Sequence, residues 1–323
     1  MTSNAASSVT PLEPVAATAL TSRGPRLRRT TDRNLRAERR VGLAMVAPAL
    51  VLLVLFVLIP AGLAFGLAFT NARLISPNPA SFSGVDNFVR LFQDAAFGRA
   101  LLNVGYFGVV VVPLQAGLAL VMAMLINTRV RGTTFFRTIY FLPVVTSMVV
   151  VSLLWSFMYR QDGLLNTLIS NLTFGVVQGP DWLGNPATSM PSIILMSVWQ
   201  GVGFHMIIWL SGLQTISQEL YEAGDIDGTS PWQRFRYITW SGLRATRSLI
   251  LVTITISALS LFTQVSVMTQ GGPLDSTTTV VYQAVERGFR QQETGYASAI
   301  SLVFFAIVLV ISGVQRFLTR EKV

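Results

Sequence analysis

The chain has 323 residues, of which 51% are hydrophobic and only 12% charged, against about 25% charged in an ordinary soluble domain. It contains no cysteine, which excludes a disulfide framework and thiol chemistry, and its single histidine leaves no credible metal site. The net charge of +9 is almost wholly arginine, Lys322 being the only lysine.

Residues 1–40 read as a disordered polar tail ending in a basic belt, Arg23, Arg26, Arg28, Arg29, Arg33, Arg36, Arg39 and Arg40. A cleaved signal peptide does not fit, because the apolar run from Val41 to Phe69 far exceeds a signal h-region. The spacing predicts an all-α, polytopic membrane domain over 41–323, with six spans near 43–69, 100–126, 138–158, 191–213, 249–269 and 296–317. Six spans put both termini on one side. Of the 24 Lys and Arg, 18 fall in the tail, the loops 127–137 and 214–248, and the C-terminus. The positive-inside rule then places both termini and the long loop in the cytoplasm. With the arginines beside apolar runs, membrane lipid accounts for the basic charge and no nucleic acid is needed.

The loop 215–247 carries four acids, Glu219, Glu222, Asp225 and Asp227, so it cannot lie in hydrocarbon. Glu219, Glu222, Ala223 and Ile226 share one face of a short helix. Asp227-Gly228 breaks that helix, and Ser230-Pro231 starts another with Ser as cap and Pro in the first turn. The expected product is a rigid surface knob; the plain alternative is an amphipathic connector.

Glu222, Ala223, Asp227, Gly228, Phe235 and Ile238 resemble the cytoplasmic "EAA" loop of binding-protein-dependent ABC importer permeases. Gly224 and Thr229 stand where that pattern has alanine, and Trp240-Ser241 where Leu-Pro is usual. Three further stretches resemble the maltose-type, carbohydrate-uptake permeases. They are Gly84-Val-Asp-Asn-Phe88; Phe136-Arg-Thr-Ile-Tyr-Phe-Leu-Pro143 with Trp155; and Thr269-Gln-Gly-Gly-Pro273 with Gly295-Tyr-Ala-Ser-Ala299. The resemblance covers about residues 40–318. It implies a second, homologous permease subunit, two ABC ATPase subunits docked on Glu222, Ala223, Gly224, Asp227 and Gly228, an extracytoplasmic solute-binding protein, and a sugar substrate.

The chain has no nucleotide site of its own, since a phosphate loop needs a Gly-rich turn ending in Lys-Ser/Thr; it reads as a transport subunit without catalytic residues or cofactors. Glycerol-3-phosphate or a polyol is the alternative cargo. An ion-coupled carrier is the alternative class, but no span carries an acid or permanent base at mid-depth. His205, in the fourth span, can bond a neighbour or serve a pathway. In the fifth span Thr253, Ser257, Ser260 and Gln264 form one helical stripe, with Thr263, Ser266 and Gln270 beside it. Small hydroxyl residues also serve helix packing. Gln264, Thr263, Ser266, Gln270, Gln200 and Trp155 are the expected substrate-path residues, with Gln115 among further amide and aromatic groups, because sugars are held by apolar faces and a few aimed hydrogen bonds.

Overall fold

A computed structural model of the protein describes residues 32–77, 79–127 and 133–319. Residues 1–31 of the expected tail, with Arg129 and Arg131 of the first basic loop, lie outside the described residues. Helix α1 (Asp32–Leu53) begins inside the stretch expected as tail and continues through a π-helical turn, Val54–Leu58, into α2 (Ile59–Leu67). The apolar part, Val41–Leu67, is the first span. The chain divides after Ile59 into two compact units, and the rest concerns the second, Pro60–Val323.

A short helix, α3 (Asp86–Gln93), precedes the second span, α4 (Ala95–Asn127). The third span is the pair α5 (Thr133–Val145) and α6 (Met148–Met158). After α7 (Leu164–Leu172) comes the fourth span, α8 (Pro186–Gln214). The knob follows as α9 (Gln218–Ile226), α10 (Pro231–Gln233), a π-helical stretch Arg234–Thr239 and α11 (Trp240–Gly242). The fifth span is α12 (Arg244–Leu259) with α13 (Thr263–Met268); α14 (Val280–Val285) and the sixth span, α15 (Thr294–Thr319), complete the chain. Among the described residues no strand is formed, and five stretches are long and apolar enough to cross a membrane, the bent α5–α6 pair supplying a sixth.

The main core forms where α4, α8 and α12 meet, around Phe107, Val111, Ala119, Ile193, Met206, Trp209, Ile250 and Ile254. Hydrocarbon gives no hydrophobic drive between helices, so close backbone approach and hydrogen bonds must hold them. The sequence supplies both. The Trp209 indole donates to the Ala116 carbonyl at 3.0 Å. A Cβ at Gly203 would collide with the Tyr140 carbonyl of α5, and one at Gly212 with Thr246 of α12. A second cluster, with Leu91, Phe97, Val104, Tyr296 and Ile300, lies toward the end opposite the knob.

Two expectations of straight helices fail. The third span, expected as one helix over 138–158, bends by 97° between Val145 and Met148. Pro143 lacks an amide hydrogen, and Ser147 adopts φ −54°, ψ 133°, an extended turn that starts α6 anew. The freed carbonyls find side chains: Thr146 Oγ1 donates to Leu142 O at 3.2 Å and Gln200 Nε2 to Pro143 O at 3.5 Å. The fifth span is interrupted between Leu259 and Thr263, with Phe262 at φ −135°, ψ −57°. There Thr279, returning from eighteen residues downstream, donates its hydroxyl to Leu261 O at 2.7 Å. Non-helical backbone at membrane depth survives only where protein satisfies it in this way. The break also ends the expected single stripe at Ser260, since Gln264 belongs to a new helix.

Candidate functional site

Helix α9 begins at Ser217, whose hydroxyl accepts from the Glu219 N–H, and carries Glu219 in its first turn, where the helix dipole favours an acid. At its other end Gly228 takes φ +69°, Gly228 N donates to Asp225 O at 3.2 Å, and Thr229 N donates to Gly224 O at 3.0 Å. These two bonds form a Schellman motif, which needs a left-handed residue where glycine stands. Ser230 then caps the next helix reciprocally: Gln233 N donates to Ser230 Oγ at 3.3 Å, and Ser230 N to Gln233 Oε1 at 2.8 Å. Trp240-Ser241, standing in place of the usual Leu-Pro, lets this helix continue through a π-helical stretch to Gly242.

The knob is tied to itself on one side and open on the other. Arg234 pairs with Asp225, and Tyr221 OH lies 3.0 Å from Thr239 Oγ1. Gly224 is buried, and a Cβ there would stand 3.0 Å from both Ile238 Cδ1 and Thr229 Oγ1. That contact accounts for glycine at 224 beside threonine at 229: the Thr229 hydroxyl, bonded to Gly224 O at 2.8 Å, occupies the space. Glu219, Leu220, Glu222, Ala223 and Ile226 face outward, Ile226 being 87% exposed. An apolar patch rimmed by acids is left uncovered.

A second feature lies about halfway through the bilayer. Gln115 stands about 18 Å along α4 from Asn127, and His205 about 14 Å along α8 from Gln214, against a hydrocarbon core of about 30 Å. Between them is a cavity of about 190 Å³ whose polar lining is Gln115, Ser197, Gln200, His205, Ser257 and Gln264. Gln115 Nε2 lies 2.9 Å from His205 Nδ1, which is also 3.0 Å from the Gly201 carbonyl; the tautomer decides which bond forms. Thr253 Oγ1 is 3.5 Å from the other ring nitrogen. Gly201 leaves room for the Gln115 amide, which a Cβ there would displace. His205 is thus a partnered side chain at the cavity wall. Both helix breaks occur at this level: Val144 and Met148 flank the first and line the cavity, as do Ser257 and Gln264 across the second.

Of the residues expected along the path, Gln200 and Gln264 reach this cavity. Thr263 and Ser266 are half-buried on α13 and are absent from its lining. Gln270 has left the helix in a left-handed turn (φ 52°), and its carbonyl accepts from Tyr282 OH at 2.9 Å. Trp155 packs between Tyr159 and Trp199, with ring centroids 5.3 and 5.5 Å away, and is not in the lining either. Gln115 and His205, read in the sequence as a sugar-holding amide and a residue able to bond a neighbour, meet here; Ser197 carries no signal in the sequence, because nothing in a single span reveals which of its faces meets another.

At the opposite end, arginines pair with acids: Arg90 with Glu293 (2.9 Å), Arg99 with Asp275 (3.3 Å), Arg287 with Asp94 (3.4 Å) and Arg290 with Glu286 (3.3 Å). Burial pushes the Asp94 carboxyl up, but the Tyr296 hydroxyl at 2.7 Å, the Ala96 amide and Arg287 outweigh it and hold the group below its ordinary value.

Residues 115–322, which include the cavity's polar lining and the knob, match the family described as binding-protein-dependent transport system inner membrane component. The chain belongs to this family. The permease is 36% identical over 286 residues to the lactose transport system permease protein LacF of Rhizobium radiobacter, covering 87% of this chain and 94% of that one. It is 34% identical to the diacetylchitobiose uptake system permease protein NgcF of Streptomyces coelicolor, covering 86% and 82%. Its fold is that of a chain in the crystal structure of a bacterial alginate ABC transporter, with TM-score 0.76, 22% identity and coverage of 89% and 96%. The permease is therefore a multi-pass membrane subunit of an importer, and a transport component rather than an enzyme.

Proposed function

We propose that the permease forms half of the path for a neutral sugar or short oligosaccharide, working with a second permease, two ATPase subunits on the knob side and a solute-binding protein on the other. The observation that carries this reading is the mid-depth cavity, lined by amides, hydroxyls and one imidazole, with no acid or permanent base. A phosphorylated or carboxylated solute there would want a cationic partner, whereas a polyhydroxyl solute needs the donors and acceptors present. The lactose and diacetylchitobiose relatives support the same class.

In this reading both termini and the knob face the cytoplasm, where the basic loops lie. The exposed face of α9, with Glu222 and Ala223, takes the ATPase. Gly228 fixes its angle and Asp227 ends the helix beside it. The knob joins α8 to α12, and both helices reach the cavity as rods: His205 and Ser257 lie about 14 and 20 Å from the knob along them. A shift of the knob on ATP binding therefore moves the cavity wall directly.

Gln264→Leu in the reconstituted importer should slow uptake of a neutral disaccharide by a few-fold to about tenfold, as expected for one hydrogen bond worth about 0.5–1.5 kcal/mol. Complex assembly and basal ATP hydrolysis should be unchanged. Normal uptake by this variant, or competition at the wild type by anionic solutes alone, would refute the assignment.

A further inference from the structure

Along α15, away from the cavity, runs an apolar groove of about 450 Å³ floored by Ala284, Gly288, Ala297, Ser301, Phe304 and Val308. It extends from Thr294 to Val308, about 21 Å along the helix and longer than one leaflet of a hydrocarbon core about 30 Å thick. Small side chains at its centre make it deep, and Leu74 and Phe289 form the rim. Such a groove retains no lipid by its tail alone, because a chain gains nothing by leaving other chains. Retention needs a polar feature at one end, and one is present. Leu74 N donates to Gln292 O at 2.9 Å, which brings the segment before Leu74 beside the start of α15. Arg73 precedes Leu74, is exposed, and has no acidic partner among the described residues. Arg290 follows Phe289, is 63% exposed and pairs with Glu286. Thr294, at the same end of the groove, has a buried hydroxyl without a hydrogen-bond partner.

We propose that this groove holds one acyl chain of an anionic glycerophospholipid, with its phosphate beside Arg73 and Arg290. The chemistry is an apolar slot with two arginines at one end, each next in sequence to a rim residue, which fits a headgroup and tail in one molecule. A partner helix would fill the slot but leave the Arg73 charge unmatched. The site is independent of the cargo and of the ATPase.

The test is native mass spectrometry of the complete importer, titrated with phosphatidylglycerol or phosphatidylcholine in mild detergent. The wild type should retain phosphatidylglycerol preferentially, by about fivefold for each arginine that contributes. Arg73→Gln, at an exposed position, should lose most of that preference without affecting folding. Ser301→Trp, which fills the slot, should abolish retention of either lipid. Equal retention of the two lipids by the wild type would overturn the proposal, as would unchanged retention in Ser301→Trp. So would a Ser301→Cys permease, whose only cysteine this is, that cross-links to the second permease in the assembled complex: the groove would then belong to a subunit interface.

Discussion

Replacing Gly228 perturbs the backbone of the knob and nothing around it. The residue stands at φ +69°, and a Cβ there would meet no heavy atom within 4 Å. A substitution therefore creates no clash, and its whole cost is conformational. An L-residue in the left-handed region costs about 1–2 kcal/mol, less for asparagine and more for a β-branched side chain. Escaping that region would break the Gly228–Asp225 and Thr229–Gly224 backbone bonds, each worth about 0.5–1.5 kcal/mol, so relaxation offers no cheaper route. Either way the properly angled knob should lose a factor of roughly 5–30 in population. Uptake and binding-protein-stimulated ATP hydrolysis in proteoliposomes, normalised to permease content, should fall in the order Gly, Asn, Ala, Val. Valine at wild-type activity, or asparagine as poor as valine, would show that the left-handed turn does not set the coupling geometry.

Orientation can be tested by single cysteines in a chain that has none of its own: in intact cells Ser81→Cys should react with an impermeant maleimide and Ser230→Cys should not, and labelling at position 230 would invert the topology. The pairing at Asp94 gives a pH signature. Its carboxyl is held below the ordinary value, so its contribution is complete above the unfolded-state pKa and is lost as pH falls through the lower, folded value. Tyr296→Phe removes the 2.7 Å bond and brings the carboxyl back toward its ordinary value, so the variant should be less stable near neutral pH and lose less further stability as the pH falls; an acid limb as steep as the wild type's in a melting series across about pH 3 to 5 would contradict this.

The spans, the knob and its caps were legible because each depends on neighbours in sequence. Apolar length marks a crossing, Gly228 marks a left-handed turn, and Ser230-Pro231 marks a helix start. The breaks were not legible for the opposite reason. Ser260-Leu261-Phe262 contains neither proline nor glycine, and the group that satisfies its open carbonyl is Thr279, contributed across a long loop. Pro143 was a visible cue for the other break, yet proline is common enough in membrane helices that it does not announce a 97° bend. A stripe drawn on an ideal helix also loses meaning once the helix stops: Gln270, placed on one, lies in a left-handed turn beyond α13. Gly224 was noted as a departure from the usual alanine, but its reason, the Thr229 hydroxyl standing over it, exists only in the folded knob.

The interruptions in the third and fifth spans bear on how the cell keeps its ion gradients. Were the third and fifth spans unbroken, as α4 and α8 are, each would swing as a lever, so that parting it from its neighbours at one face would loosen the other and let protons and ions run through. Here α6 and α13 lie beyond the interruptions and are joined to α5 and α12 only by short non-helical links. Each half of a broken span can then pivot without dragging the other, which a pore needs if one end is to stay shut while the other opens.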